Sequence, residues 1–205
     1  MNDAVNSSMS RIISIQPVTP PGADEKPTLT PAEEWNENRI AIDQLSRQGQ
    51  WPEVLELLRR LTTKHKNNEI YKALAQRVWV GLKTQAPSIE VVQSLFHLLN
   101  TLGPNHELAP AVCALAQLLA IHRTPDHPDQ ALAIGQTQQM FSMVCGALNI
   151  TGEEAFQSWI KAKQLDEPDL FIPEIIRMLE MMVGDDWWID REGLQKELEQ
   201  AQQAA

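Results

Sequence analysis

The amino-acid sequence predicts an all-α fold of about nine helices with no β-sheet. In segment after segment, apolar residues recur three and four positions apart, the spacing that places them on one face of a helix. Proline, glycine and asparagine separate these segments and are typical of helix ends. No segment shows a sustained alternation of apolar and polar residues between turn residues, the pattern typical of a strand.

The first predicted helix begins at a capping box. Thr30 is the expected cap, Pro31 occupies the first helical position, and Glu33 follows three residues after the cap. The helix is expected to continue to about Gln48 and to end at Gly49, because glycine tolerates the left-handed conformation there. Its predicted buried residues include Trp35, Ile42 and Leu45.

Five more helices are predicted between residues 52 and 148. The second begins at Pro52, the fourth at Pro87 with Ser88, and the sixth at about Asp129. Turns or loops are expected at residues 67–68, 103–104 and 124–128. The predicted buried faces are Val54, Leu57, Leu58 and Leu61 in the second helix; Tyr71, Leu74, Val78 and Leu82 in the third; Val91, Val92, Leu95, Leu99 and Leu102 in the fourth; and Leu108, Val112, Leu115 and Leu119 in the fifth.

Three helices are predicted after residue 150. The segment from Thr151 to Glu154 has the form of a second capping box, and residues 166–173 are expected to connect the seventh helix to the eighth. The eighth helix should end at Gly184, and Asp190 should cap the last one. The residues expected to face inward are Phe156, Trp159 and Ile160 in the seventh helix; Ile175, Ile176, Leu179, Met182 and Val183 in the eighth; and Leu194 and Leu198 in the ninth.

Composition divides the chain into three parts. Residues 1–29 are rich in Ser, Pro, Thr and Gly and are expected to form a disordered tail. Residues 30–150 form the predicted helical-repeat region. Residues 151–205 are expected to be acidic helices packed on the same domain, because this part holds 13 acids and 5 bases. The acidity is interpreted either as a solvated face or as a surface for a basic protein partner.

The sequence also restricts the classes of function. Phosphate contacts need clustered Lys and Arg, so a chain with a net charge of -10 is not expected to bind nucleic acid. No apolar run is long enough to span a membrane and no signal peptide is visible, which favours the cytoplasm. The two cysteines, Cys113 and Cys145, lie in apolar helical contexts and are expected to be core residues.

One helix corner resembles a known repeat family. Gly49 is followed by Trp51 two residues later and by Val54 three residues after that; an amphipathic helix then leads to Asn67-Asn68 and Tyr71. The stretch from Gln48 to about Leu74 resembles the tetratricopeptide repeat. Later corners near Val91 and Ala131 give offsets of 37 and 40 residues, against about 34 in that family. The resemblance implies a right-handed array of stacked hairpins that binds a peptide or protein; an irregular helical bundle is the alternative.

Motifs for catalysis are missing from the sequence. It has no Walker-type loop, no GxGxxG and no GxSxG, and the spacing of its histidines does not suit a metal site. The prediction is therefore a protein that is not an enzyme and has no cofactor, no metal site and no catalytic residues. The expected function is that of an adaptor, assembly factor or chaperone-like protein for another protein or peptide. The alternatives are a structural subunit of a larger complex and a regulatory domain responsive to a small molecule or metal.

Two surfaces are candidates for binding a partner. Arg60 and Lys64 lie four residues apart on one helix face beside Arg59, so this face can hold a partner's carboxylate or remain a solvated basic surface. The second candidate is the segment Asp185-Asp186-Trp187-Trp188. Adjacent residues on a helix are about 100° apart, so either one tryptophan is exposed for binding or the segment is extended and both rings pack on different helices.

Overall fold

A computed structural model describes residues 29–64, 69–84, 86–123, 125 and 127–203, without the side chain of Lys64. This part of the chain forms nine α-helices and no strand, which confirms the predicted all-α class. The helices are α1 (Pro31–Arg47), α2 (Trp51–Lys64), α3 (Ile70–Lys83), α4 (Ser88–Leu102), α5 (Ala109–His122), α6 (Gln130–Ala147), α7 (Glu153–Ala162), α8 (Pro168–Val183) and α9 (Arg191–Gln203). Within these ranges, no helix is both long and apolar enough to cross a membrane.

The first helix begins and ends as its sequence predicts. The Glu33 backbone N–H donates to Thr30 Oγ1, and the Thr30 backbone N–H donates to Glu33 Oε2 at 2.8 Å, so both halves of the capping box are present. At the other end, Gly49 has a φ of 69°. The Gln50 N–H donates to the Leu45 carbonyl at 3.0 Å, which closes the helix in the way that a left-handed glycine allows.

Helix α3 lies at the centre of the fold. It packs against α2, α4 and α8, and every residue from Ala73 to Gly81 is buried. Burial on all sides includes Arg77, whose pKa falls to about 10 because burial disfavours the charged guanidinium and the charge of Arg59 adds to the effect. The sequence suggested an amphipathic α3 with one buried face, so the extent of its burial is a finding of the structure.

A guanidinium at the C-terminal end of α5 stabilises the end of α3. Arg123 donates to the backbone carbonyls of Gly81 at 2.8 Å and Leu82 at 2.9 Å, and to that of Ala86 at 3.2 Å. The last carbonyls of a helix have no partners within the helix, and a cation there also complements the helix dipole. This contact joins the α3–α4 pair to α5.

The last helices pack back onto earlier ones. Consecutive helices contact each other from α1 to α6, while α8 packs on α3 and α5, and α9 packs on α1. Each of α1, α3 and α5 thus contacts a helix from the acidic C-terminal part. In chain order these three are the first helices of the pairs α1–α2, α3–α4 and α5–α6. Helix α7 has no fully buried residue.

Three local predictions are wrong. Helix α7 is capped by Gly152, whose φ is 82°, with no side-chain capping bond, so the Thr151 hydroxyl lies one residue too early for a capping box. Residues 168–173 belong to α8 and not to a connector, because Pro168 suits the first turn and the helix tolerates Pro173 on an exposed face. Tyr71 is exposed, while Leu74 and Val78 are buried and Leu82 is half-buried.

Other expectations depend on residues outside the described ranges. These are the disordered tail, apart from the exposed Leu29, and the turn at Asn67-Asn68.

The two cysteines differ in their burial. Cys113 is buried as expected, and burial raises its pKa to about 12, whereas Cys145 is only partly buried.

Candidate functional site

The basic face predicted on α2 is paired within its own helix. Glu56 accepts hydrogen bonds from Arg59 Nε at 2.6 Å and Nη2 at 2.8 Å, and from Arg60 Nε at 2.9 Å. These bonds lower the pKa of Glu56 to about 2, Arg59 contributing most. Both arginines remain exposed, while the side chain of Lys64 lies outside the described part. A partner's carboxylate would therefore have to compete with Glu56.

The second predicted surface is part of an extended segment between α8 and α9. We call residues 184–190 the C-terminal strap. The Trp188 ring is buried edge-on against Trp35 of α1, with the ring centroids 5.6 Å apart, and the Arg39 guanidinium lies 4.6 Å from its centroid. The Trp187 ring is half-buried against Trp79 of α3 at 5.3 Å. The two tryptophans therefore pack on different helices, as the second of the two interpretations proposed.

Polar contacts fix the strap in place. Asp186 accepts from Arg39 Nη2 at 2.7 Å and from Lys72 Nζ at 2.8 Å. Burial alone would raise the pKa of Asp186, but the Lys72 hydrogen bond and the Arg39 charge outweigh it and lower the pKa below its ordinary value. The Trp188 backbone N–H donates to Gln76 Oε1 at 2.8 Å. Asp185 is exposed. In this arrangement Asp186, Trp187 and Trp188 join the C-terminal part to α1 and α3.

Helix α9 completes this attachment at the Gly49 corner. Trp51 Nε1 donates to Glu197 Oε2 at 2.8 Å, and a Cβ added to Gly49 would lie 3.0 Å from Glu197 Oε1. Asp190 accepts from the Gly193 N–H at 3.0 Å, which is the predicted cap of α9. The corner that resembles a repeat is therefore also a docking point for the chain's own C-terminal helix.

The open surface lies elsewhere, between α5, α6, α7 and α8. A groove of about 560 Å³ separates these helices; we call it the α5–α8 groove. Its walls are mainly apolar and include Leu118, Ile121, Phe141, Phe156, Ile160 and Phe171. Gln138, Gln157 and Asp166 line it and are exposed, so the groove opens to solvent. Its volume falls within the range of ligand sites in proteins.

Helix α7 forms one side of the groove mainly through aromatic contacts. The Phe141 ring of α6 meets Phe156 at 5.7 Å and Trp159 at 6.4 Å, both edge-on. The chain enters and leaves α7 through two non-glycine residues in the left-handed region, Asn149 with φ 56° and Gln164 with φ 53°. Such conformations cost energy and persist where the surrounding structure imposes them. Each closes the helix before it: the Ile150 N–H donates to the Cys145 carbonyl at 2.9 Å, and the Leu165 N–H donates to the Ile160 carbonyl at 3.0 Å.

The α5 and α6 walls contain no Asp, Glu, Lys or Arg. A surface helix of a globular protein normally carries charged residues on its solvent face. Helix α6 is exposed on one side, and Leu132 is 55% exposed, yet glutamine, alanine, serine and glycine replace the usual charges there. Depletion of charge is the compositional sign of the centre of a protein interface.

Acidic residues are concentrated in the segment that forms the opposite side of the groove. Residues 153–169, which include α7 and the start of α8, hold five acids and two lysines. All five acids are exposed: Glu153, Glu154, Asp166, Glu167 and Asp169. Among the residues that the structure describes, Glu153 accepts a hydrogen bond from Gln157, and no ion pair is formed by any of the five. This segment therefore has a net negative charge, and Asp166 lies in the groove itself; we call this acidic side the rim of the groove.

The sequence interpretation did not identify this groove as a site. Its residues come from four helices spread over residues 114–171, and helical periodicity gives no distance between them. Two signals were nevertheless present, namely the uncharged stretch of α5 and α6 and the acidic excess after residue 150. Together they would have indicated a boundary between an uncharged surface and a negative one.

Residues that could bind a metal do not cluster in the described part. No group of three or more His, Cys, Asp or Glu residues is placed there to hold a metal ion. His122 lines the α5–α8 groove, whereas His127 accepts at Nδ1 from the Asp129 N–H and lies in a loop.

Comparison with protein-family models, with curated proteins and with solved structures found no match to this chain.

Proposed function

We propose that this chain is a non-enzymatic protein-interaction module that binds a segment of another protein in the α5–α8 groove. The observation that carries the proposal is the coincidence of an open apolar groove with two helices that have no charged residue in their walls. An apolar groove needs an apolar occupant, because burial of such surface is the main favourable term in association. Because the α5 and α6 walls carry no charge, a partner protein can cover them without removing charges from water.

The proposal includes the architecture on which the groove is built. Helices α1–α2, α3–α4 and α5–α6 are in contact as successive hairpins would be, and the resemblance to tetratricopeptide repeats implies that stacked hairpins form a concave binding surface. In this chain α8 packs on α3 and α5, and α9 on α1, so the chain's own C-terminal part covers the first helix of each pair. The site proposed for a partner is consequently displaced to the gap between α5, α6, α7 and α8. In this role the protein acts as an adaptor, assembly factor or chaperone-like protein.

A site-specific photo-crosslinking experiment tests the proposal. A photoreactive phenylalanine analogue replaces Gln138, which is exposed in the groove; in a matched control it replaces Glu37, which is exposed on α1. Each protein is irradiated in an extract of its native source, and adducts are identified by mass spectrometry. We expect a discrete protein adduct from position 138 and not from position 37. Adducts that are equal at both positions, or absent from both, would contradict the proposal.

A further inference from the structure

The α5–α8 groove has a size that limits what can fill it. A closed cavity of about 150 Å³ accommodates a benzene-sized group. The groove, with about 560 Å³, therefore has room for roughly three or four leucine- or phenylalanine-sized side chains. A single buried residue from a partner would leave most of the apolar wall exposed, so the occupant must present several large apolar side chains together.

The backbone of the occupant is limited by the walls. An extended segment exposes unpaired N–H and C=O groups, and burying these without partners is unfavourable. The described part of the chain has no sheet edge to which a strand could be added, and the walls of the groove are mainly apolar. A helix pairs its own backbone groups and presents side chains at i, i+3, i+4 and i+7 on one face. A helical occupant thus fits an apolar groove lined by helices.

The rim determines the charge of the occupant. Asp166 lines the groove, and Glu167 and Asp169 follow it at the start of α8, all three exposed and without ion pairs in the described part. Glu153 and Glu154 lie at the opposite end of α7, whose own bases are Lys161 and Lys163 at its C-terminal side. Lysine or arginine beside the apolar face of a bound helix would find carboxylates, whereas acidic residues there would be repelled.

We infer that the α5–α8 groove takes an amphipathic helix of a partner protein, with three or four large apolar residues on one face and lysine or arginine along its flank. This inference rests on the proposed function and specifies the partner's chemistry. The groove supplies affinity through its apolar walls, and the carboxylates supply the choice of partner and its orientation. The part of the acidic excess that lies in residues 153–169 then has a specific role.

The test uses two designed peptides of about 18 residues that are matched in helicity. Both carry leucine and phenylalanine at i, i+3, i+4 and i+7; one has lysine along the flank, and the other has glutamate at the same positions. Dissociation constants for the full chain are measured by fluorescence anisotropy at low salt and in 0.5 M NaCl. We expect the lysine peptide to bind about tenfold more tightly at low salt, and this ratio to shrink at high salt.

Two variants separate the rim from the general negative charge of the protein. Asp166→Lys with Glu167→Lys changes the rim, and Glu37→Lys with Glu53→Lys makes the same change in net charge on α1 and α2. The inference predicts that the preference for the lysine peptide disappears in the rim variant and persists in the control. It is overturned if the preference is equal in both variants, if the two peptides bind the unmodified chain equally, or if neither binds.

The outcomes distinguish this inference from the proposed function. Crosslinked protein at position 138 together with no preference for the lysine peptide would keep the groove as a protein-binding site and overturn the chemistry inferred for its partner. Selective peptide binding without any crosslinked protein would support the chemistry of the groove and contradict its use in the native source. Circular dichroism of each variant shows whether its helices are intact before either result is interpreted.

Discussion

The C-terminal strap and the α5–α8 groove use the same kinds of residue and differ in whether these residues have partners. In the strap, Trp188 is buried against Trp35, and Asp186 pairs with Arg39 and Lys72. In the groove, aromatic residues line an open space and the rim carboxylates form no ion pair in the described part. A tryptophan beside an acidic residue in the sequence indicates a binding surface only if neither side chain already has a partner within the chain. Here the contacts of the strap stabilise the fold, and the groove is the site that we propose for another molecule.

The largest expected effect comes from removing Trp188. Trp188→Ala deletes a buried ring that packs on Trp35 and lies beneath Arg39, so we expect a loss of about 3–5 kcal/mol in the free energy of unfolding. Trp159→Ala, its counterpart beside the groove, should cost only about 1–2 kcal/mol because that ring is partly exposed. Urea unfolding followed by circular dichroism measures both values. Equal losses would show that the groove side is as tightly packed as the strap.

The ion pairs of the strap should make its contribution depend on pH. Asp186 has a lowered pKa in the fold, so its stabilisation is present above the unfolded value near 3.8 and is lost as the pH falls through the folded value. Lys72 has a raised pKa, chiefly through its hydrogen bond to Asp186, so its part is present below about 10.5 and is lost as the pH rises through the folded value.

Asp186→Asn is the variant that tests this dependence. Both charges are present between about pH 5 and pH 9, where we expect the variant to lose about 1 kcal/mol, since the pair is partly exposed to solvent. The difference from the unmodified chain should shrink below pH 4 as Asp186 is protonated. Urea midpoints measured at pH 3, 5 and 7 provide the comparison. A difference that stays constant down to pH 3 would contradict the assignment of the effect to this carboxylate.

The strap also shows how far the sequence alone could predict the molecule. Local signals located most helix ends, as with Thr30 and Gly49, because a cap depends on residues only a few positions away. The same reasoning misplaced the start of α7, where threonine and glycine are adjacent and both suit a cap. The tryptophan pair was identified as unusual, but the role of Trp188 depends on Gln76, 112 residues earlier, and no local pattern contains that distance.

The groove shows the same limit of prediction from local sequence. Periodicity predicted that α5, α7 and α8 have apolar faces, but it did not predict that these faces are incompletely covered. That depends on where α7 lies, and the turns that precede and follow α7 contain two left-handed residues, Asn149 and Gln164. Neither residue is a glycine, the residue that a sequence-based argument expects in that conformation.

An exposed apolar residue of the groove should affect binding more than stability. Ile121 lines the groove and is 39% exposed, while Ile40 on α1 is 60% exposed and remote from it. Ile121→Ser and Ile40→Ser should each change the free energy of unfolding by no more than about 0.5–1 kcal/mol. Only Ile121→Ser should weaken binding of the lysine peptide, by about tenfold, because that side chain would be buried in the complex. The same loss from both variants would mean that the peptide binds outside the groove.

The smallest effect is expected at the basic face of α2. Glu56 bonds Arg59 and Arg60, and its pKa of about 2 means that this stabilisation is present above the unfolded value of 4.5 and is lost as the pH falls through about 2. The groups are exposed, so solvent screens most of the interaction, and Glu56→Gln should cost only a few tenths of a kcal/mol near pH 7. Urea midpoints check the stability, and crosslinking from position 138 should be unchanged. A loss above about 1 kcal/mol would show that the basic face of α2 contributes to stability as much as the strap does. A lost adduct would show that this face takes part in binding the partner.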